Sequence, residues 1–324
     1  MRNQWINILF VALFCTACQQ DVSLPLLRLV DCSPMPAAVA AGCYFTYDGE
    51  VYIFGGRTNS DEHTNQLWKY SPSNNQWLSL GETPLKARVS ASACVVADKV
   101  YIGMGYSGHI HRDSSYLQDF WEYTPRTQEW KQLANFPANT TVKNCLFAAD
   151  GTIYAMYGFY RQFTQDVYQY DIEQNRWEKL NINAHKNVPR AMDIVGVTCS
   201  GRHFLGTGFN HGSLRFWAEW HPTEHSIVAC KNILGAGRNA VACCATEKYV
   251  YLAGGRHYGD TLTNGFLYNT VLRYIPECDE WEYVGSLPYK AENMIMVNVD
   301  NQVFIGLGET NNGVIQNNWY RFEE

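Results

Sequence analysis

The chain has 324 residues, 46% hydrophobic and 14% aromatic, ample apolar surface for a large packed core. A formal net charge of -6 argues against nucleic-acid binding, which asks for a basic surface. Past Phe14 there is no apolar run of membrane-spanning length, no low-complexity stretch and no linker, so a single body carries the rest of the chain.

The first element is a targeting segment. Arg2 supplies a positive charge, Ile6 to Phe14 is apolar apart from Asn7, and Cys15-Thr16-Ala17 lead into Cys18. That junction resembles the cleavage and acylation site of bacterial lipoproteins. The resemblance implies removal of residues 1–17, Cys18 as the lipid-bearing first residue and 18–23 as a tether. It also implies an exported body in the bacterial cell envelope, periplasm or outer membrane, touching membrane by lipid only. Cys15 stands where that family usually has Leu, which leaves cleavage by an ordinary signal peptidase as the alternative.

From Leu24 to Glu324 the chain repeats. Short apolar runs end at Gly56, Gly105, Gly158, Gly208, Gly255 and Gly308, spaced 47 to 53 residues apart. After them come Tyr70, Tyr123, Tyr170, Trp220, Tyr274 and Phe322, and seven residues beyond the first five stand Trp77, Trp130, Trp177, Ile227 and Trp281. A unit of about 50 residues holds four short strands and cannot bury its own apolar faces, so units must pack into an array. Val51-Tyr52-Ile53-Phe54-Gly55-Gly56 and Tyr251-Leu252-Ala253-Gly254-Gly255, each followed by Tyr and Trp, resemble Kelch repeats. The resemblance implies an all-β, six-bladed β-propeller over 24–324. Departures from the pattern are the single-residue spacing in Gly103-Met104-Gly105, Gly206-Thr207-Gly208 and Gly306-Leu307-Gly308, the lone Gly158, and Ile227 in place of Trp. Unit four is the least regular.

The residues themselves predict the strands. Val51 to Phe54, Val100 to Ile102, Thr152 to Ala155 and Val303 to Ile305 read as central strands, opened by hairpin turns at Asp48-Gly49, Asp150-Gly151 and Asp300-Asn301. The sixth unit ends at Phe322 without its outer strand. Pro84, Pro137 and Pro288 follow Trp77, Trp130 and Trp281 by seven residues, and Pro36 follows Leu29 by the same interval. Leu24 to Cys32 is therefore expected to complete the last blade and close the ring.

Nine cysteines remain after Cys15 and Cys18, without metal-like spacing, and their repeated placement on first strands reads as buried apolar residues, one or two disulfides being the alternative. No cofactor or metal is expected; His109 and His111 lack a third ligand.

By analogy with Kelch propellers, the segments after the glycines and those entering each first strand share one face. They hold Arg57, Arg88, Tyr106, His109, Tyr160, Arg161, Arg190, Asn210, His211, Arg238, Arg256, His257 and Tyr258 as candidate ligand-binding residues, with Glu309 a candidate acid-base. The loops Tyr106 to Tyr116 and Arg256 to Phe266 are the longest and belong to opposite units. Two functions fit. One is a non-catalytic module binding a glycan, peptide or partner protein at the channel mouth. The other follows from resemblance to exported Kelch-type sialic acid mutarotases: general acid-base ring opening of a sugar acid, with Glu309 at the reacting centre and arginines on the carboxylate. A copper site like that of galactose oxidase finds no matching residue set.

Overall fold

The computed structural model describes residues 27–109, 112–139, 142–184, 187–259 and 265–323. The expected signal segment, the tether with Cys18, and residues 24–26 lie outside them. Among the described residues, two two-stranded ribbons, Phe159–Tyr160 with Gln162–Phe163 and Arg256–His257 with Phe266–Leu267, accompany six sheets of four or five strands that form the blades, each with an antiparallel four-stranded body. Their innermost strands, Cys43–Tyr47, Ser92–Val96, Cys145–Ala149, Val195–Cys199, Ala242–Ala245 and Ile295–Val299, pack side by side in that order, and the last returns to the first. The fold is the expected six-bladed propeller.

Each unit opens with the hairpin its turn chemistry demands. Asp48, Asp150 and Asp300 take φ of 51°, 50° and 51°, and each is followed by a second left-handed residue, Gly49, Gly151 or Asn301. The second strands, such as Glu50–Phe54 and Gln302–Gly306, are buried along nearly their whole length. The landmark pairs stand directly opposite one another across the third and fourth strands: Tyr70 with Trp77, Tyr123 with Trp130, Tyr170 with Trp177, Trp220 with Ile227 and Tyr274 with Trp281. In blade six the same pair is Phe322 with Leu29, because Leu29–Cys32 lies antiparallel on Trp319–Phe322. The N-terminal segment thus closes the ring as expected, with a strand, Leu29–Cys32, shorter than the expected Leu24 to Cys32.

The departures in glycine spacing have a steric cause. Gly103, Gly206 and Gly306 pair across the sheet with Phe120, Trp217 and Trp319. A Cβ on Gly103 would sit 2.4 Å from Asp119 O, and one on Gly206 would meet the Trp217 ring at the same distance. Blades one, three and five have smaller residues there, Leu67, Val167 and Val271, opposite Phe54, Met156 and Ala253. Glycine in the even blades makes room for a large ring.

That ring meets the tryptophan of the next blade. Phe120 packs on Trp177, Trp217 on Trp281 and Trp319 on Trp77, with centroids 4.9, 5.2 and 5.6 Å apart. At these same three seams the indole N–H donates to a backbone carbonyl of the preceding blade's end: Trp77 to Ser33 (2.8 Å), Trp177 to Ala134 (3.1 Å), Trp281 to Lys231 (3.0 Å). Asn75, Asn175 and Asp279, two residues before each tryptophan, accept the N–H of those same three residues at 2.7, 2.7 and 2.9 Å. Tyr70, Tyr170 and Tyr274 donate to them as well. Blade four compensates for Ile227 with a fully buried Trp220 and gains an unforeseen fifth strand, Asn183–Ala184, parallel to Ser226–Ala229.

All nine described cysteines are free, and Cys43, Cys94, Cys145, Cys199, Cys243 and Cys244 are buried. Burial pushes the thiols of Cys43 and Cys145 up to about 12, so they sit as small protonated apolar groups. The disulfide alternative does not occur among the described residues.

The seam between blades one and six carries ring closure, which makes Asn75 the residue to test. Its φ is 55°, so Asn75→Gly removes the side chain without straining the backbone. Losing the bonds to Ser33 and Tyr70 is expected to destabilise the protein by about 1–3 kcal/mol in denaturant unfolding. Hydrogen exchange should accelerate first at Leu29–Cys32 and Trp319–Phe322.

Candidate functional site

The mouth is framed by six backbone bridges between residues entering an inner strand and residues after a landmark glycine, among them Val89 with Tyr106, Asn239 with Arg256 and Glu292 with Glu309. Glycine is needed there. Gly105 has φ 84°, and a Cβ on it would lie 2.5 Å from Val89 O. One step further into each blade comes a left-handed residue, in order Ala41, Ser90, Lys143, Asp193, Ala240 and Asn293.

Three part-buried ion pairs cross blade boundaries at this face, beside an exposed one between Arg161 and Asp113. Arg57 of blade one binds Glu309 of blade six through Nη2 while Nη1 holds Asp61 at 3.1 Å. Arg256 of blade five puts Nε and Nη2 on Glu292 of blade six at 2.8 and 2.7 Å. Lys143 of blade three binds Asp193 of blade four at 2.8 Å, and Asp193 also takes the Ala240 N–H (2.8 Å) and the Asn239 amide (3.2 Å) of blade five. Burial pulls Arg57, Arg256 and Lys143 down, and the facing carboxylates more than offset it, so all three stand above their ordinary range. These three cations of the mouth are neutralised from within, while Arg190 is exposed.

Aromatic rings run between the pairs. Tyr160 meets Tyr116 edge-on at 5.0 Å with Arg161 over its face, and Arg161 reaches Asp113 at 2.7 Å. Phe163, Phe209 and Tyr258 follow in edge-on contact, 5.9 and 5.8 Å apart, and His211 lies 5.3 Å from Phe163. Burial raises the Tyr258 hydroxyl, with Arg256 acting against it. His257 Nδ1 donates to Gly237 O at 2.7 Å, and Asn210 donates to Arg190 O at 2.7 Å. His63, which carries no sequence signal, packs edge-on against Tyr106 at 5.9 Å and is held below its usual range by burial.

Two of the candidate arginines are not at the mouth. Arg88 has a fully buried side chain, forked on Asp119 with two bonds of 2.7 Å and bonded to the Met104 and Lys86 carbonyls. Arg238 occupies the same place in blade five, 3.9 Å over the Tyr268 ring, where Thr270 stands in for Asp119. Burial lowers it to about 10. The reason both point inward is register: they precede the left-handed residue by two positions, whereas Arg190 precedes it by three and is exposed. His109 is exposed, and His111 lies outside the described residues. Among those described, no three His, Cys, Asp or Glu side chains gather to hold a metal.

The two long loops do not stand free as walls. Loop 106–116 leans on blades one and three through His63 and Arg161, and Tyr258 of the other is bonded to Ser213 of blade four at 2.8 and 2.9 Å. Residues 110–111 and 260–264 lie outside the description. A cavity of about 670 Å3 lies away from the mouth: it opens at the rim between blades five and six, beside Tyr251, Arg273 and Phe322, where Leu29 replaces the wedge tryptophan. The mouth narrows to a throat of about 130 Å3 under Lys143, Asp193 and Asn293. Chemistry and cross-blade pairing, rather than size, make the mouth the candidate site.

Thr270→Asp supplies Arg238 with the counter-ion that Arg88 already has. The variant is expected to raise stability by about 1–3 kcal/mol, read as a higher thermal midpoint. Asp119→Thr should lower it.

The family model for the KLHDC2/KLHL20/DRC7 Kelch-repeats domain matches residues 14–208. Kelch-like protein terF of Aspergillus terreus is 32% identical over 113 residues, 33% of this chain and 25% of its own length. N-acetylneuraminate epimerase of Pasteurella multocida is 28% identical over 235 residues, 69% of this chain and 54% of its own. The chain thus spans a quarter to about half of these two relatives. The solved structure of YjhT superposes with a TM-score of 0.72 at 13% identity, over 89% of this chain and 95% of that one, which bears on the fold.

Proposed function

Because the chain belongs to the Kelch-repeat family, we propose that it is a non-catalytic binding propeller whose mouth holds a glycan, peptide or partner protein. The observation that carries this is the internal neutralisation of the mouth: Arg57, Arg256 and Lys143 are each committed to a carboxylate of a neighbouring blade. A ligand there meets ring edges and faces, from Tyr160 round to Tyr258, neutral hydrogen-bonding groups and the exposed Arg190. Such a surface suits sugar rings or aromatic and amide groups of a polypeptide.

A second reading has its own support in the N-acetylneuraminate epimerases, which match across about 70% of this chain. In it Glu309 moves a proton during ring opening of a sugar acid. Its tie to Arg57 works against that role, since the carboxylate is engaged by a guanidinium rather than free to meet a substrate proton. One sample separates the two. A glycan array and an immobilised-ligand titration should give saturable binding, weakened about tenfold or more by Tyr258→Ala or Phe209→Ala, at roughly 1.4 kcal/mol per decade. Sialic acid anomers monitored by NMR should equilibrate at the uncatalysed rate with the same protein; faster equilibration that Glu309→Gln abolishes would establish the enzyme instead.

The reading includes export and lipid attachment at Cys18, resting on the charged, apolar and small-residue order of residues 1–18. Radiolabelled palmitate should enter the wild-type protein expressed in a bacterium and be absent from Cys18→Ala. Labelling of the variant would remove the anchor from the proposal.

A further inference from the structure

One seam lacks the clamp of tyrosine, tryptophan and Asn or Asp. In blades one, three and five the tyrosine of the third strand, the tryptophan opposite it and the Asn or Asp two residues earlier lock the blade to its predecessor. In blade six the same three positions hold Phe322, Leu29 and Leu27, whose side chains make no hydrogen bonds. They pack on Tyr251 and Val284 of blade five, and the Leu27 N–H reaches Ser286 O at 2.9 Å. Beside them lies the rim cavity of about 670 Å3.

The wall of this groove is part aromatic and part polar. Tyr249, Tyr251 and Phe322 are half-buried, and Tyr251 stands edge-on to the other two with centroids 6.4 and 5.9 Å away. The Arg273 guanidinium lies 4.5 Å over the Tyr249 ring and is held on Glu282 Oε1, while both members of the pair stay partly exposed, at 32% and 41%. Among the described residues nothing donates to Glu282 Oε2. On the adjoining turn Lys248 faces solvent next to Glu247, so that charges balance there too. Arg28, Arg321 and Glu323 alternate with Leu27, Leu29 and Phe322 and border the groove from the other side of their strands, where Arg321 bonds Gln302 at 3.2 Å. The turns at 246–249 and 300–302 close one end. Inner strands start at the mouth and finish at these turns, so the groove lies towards the opposite face.

We infer that this groove is a carbohydrate site, separate from the mouth, for a neutral oligosaccharide. A sugar ring has apolar C–H faces and hydroxyl edges that both donate and accept. The three aromatic rings meet the faces, Arg273 donates to hydroxyl oxygens, and Glu282 accepts through Oε2. The volume lies within the roughly 300–1,000 Å3 range of small-molecule sites. Charges that cancel within the groove offer an acidic sugar no surplus cation to offset its lost hydration, which favours the neutral ligand.

The test titrates three neutral trisaccharides, maltotriose, cellotriose and triacetylchitotriose, onto the intact protein by NMR. At least one is expected to saturate, with amide shifts centred on Tyr249, Tyr251 and Phe322. Tyr249→Ala should weaken that binding about tenfold, as loss of an aromatic anchor, and Arg273→Met about three- to tenfold, as loss of a hydrogen bond. Trigalacturonate, an anionic trimer, should bind more weakly than the best neutral one. No saturation by any neutral trimer, tighter binding of trigalacturonate, indifference to both substitutions, or shifts confined to Phe209 and Tyr258 would each overturn the proposal. The last outcome would put the sugar at the mouth, so the two sites fail separately.

Discussion

The wedge between adjacent sheets is the constraint on which the rest depends. Sheets arranged around an axis diverge outward, and something large must fill the widening gap if the ring is to stay packed at protein density. Here three of six gaps are filled by an aromatic ring from an even blade against the tryptophan of the following odd blade. The even blade accommodates its ring by having glycine opposite it, and the odd blade fixes its tryptophan with an Asn or Asp that grips the neighbouring backbone. The molecule is in this sense three pairs of blades. Backbone bonds near the mouth fall on the other three seams, Ser90 to Ala41, Asp193 to Lys143 and Asn293 to Ala240, joining blades one–two, three–four and five–six.

This alternation explains what was legible in the sequence and what was not. Blade number, hairpins and ring closure were legible because each depends on a residue type forced by backbone or wedge geometry: left-handed Asp and Gly at turns, large rings at seams, and Leu29 seven residues before Pro36. The glycine spacings looked like lapses from a pattern because a one-dimensional motif cannot display that Gly103 and Phe120 are cross-strand partners. Unit four looked weakest for the same reason, since Trp220 fills from the third strand what Ile227 leaves on the fourth. The two-residue strand Asn183–Ala184 has no pattern to detect.

The mouth was harder, and the difficulty is one of register. Whether a residue entering an inner strand faces solvent or core is decided by its distance from the left-handed residue at the strand's start. Arg88 and Arg238, two positions before it, turn inward; Lys143 and Asp193, which occupy it, line the throat. Alignment on that residue, with Lys143 and Asp193 fifty positions apart, holds the missing signal, but neither the glycine nor the tryptophan landmarks point to it.

Charge at the mouth follows from the ring itself. A repeated scaffold offers the same few positions six times within one small circle, so six like charges would repel across a partly buried surface. The chain instead sets opposite charges on different blades: Arg57 against Glu309, Arg256 against Glu292, Lys143 against Asp193. Each pair spans a boundary, so the charges that could have selected an ionic ligand serve to hold blades in place. Two of the three pairs share blade six, the blade assembled from both ends of the described chain. Outside these pairs, that face presents its aromatic rings, neutral hydrogen-bonding groups and the exposed Arg190.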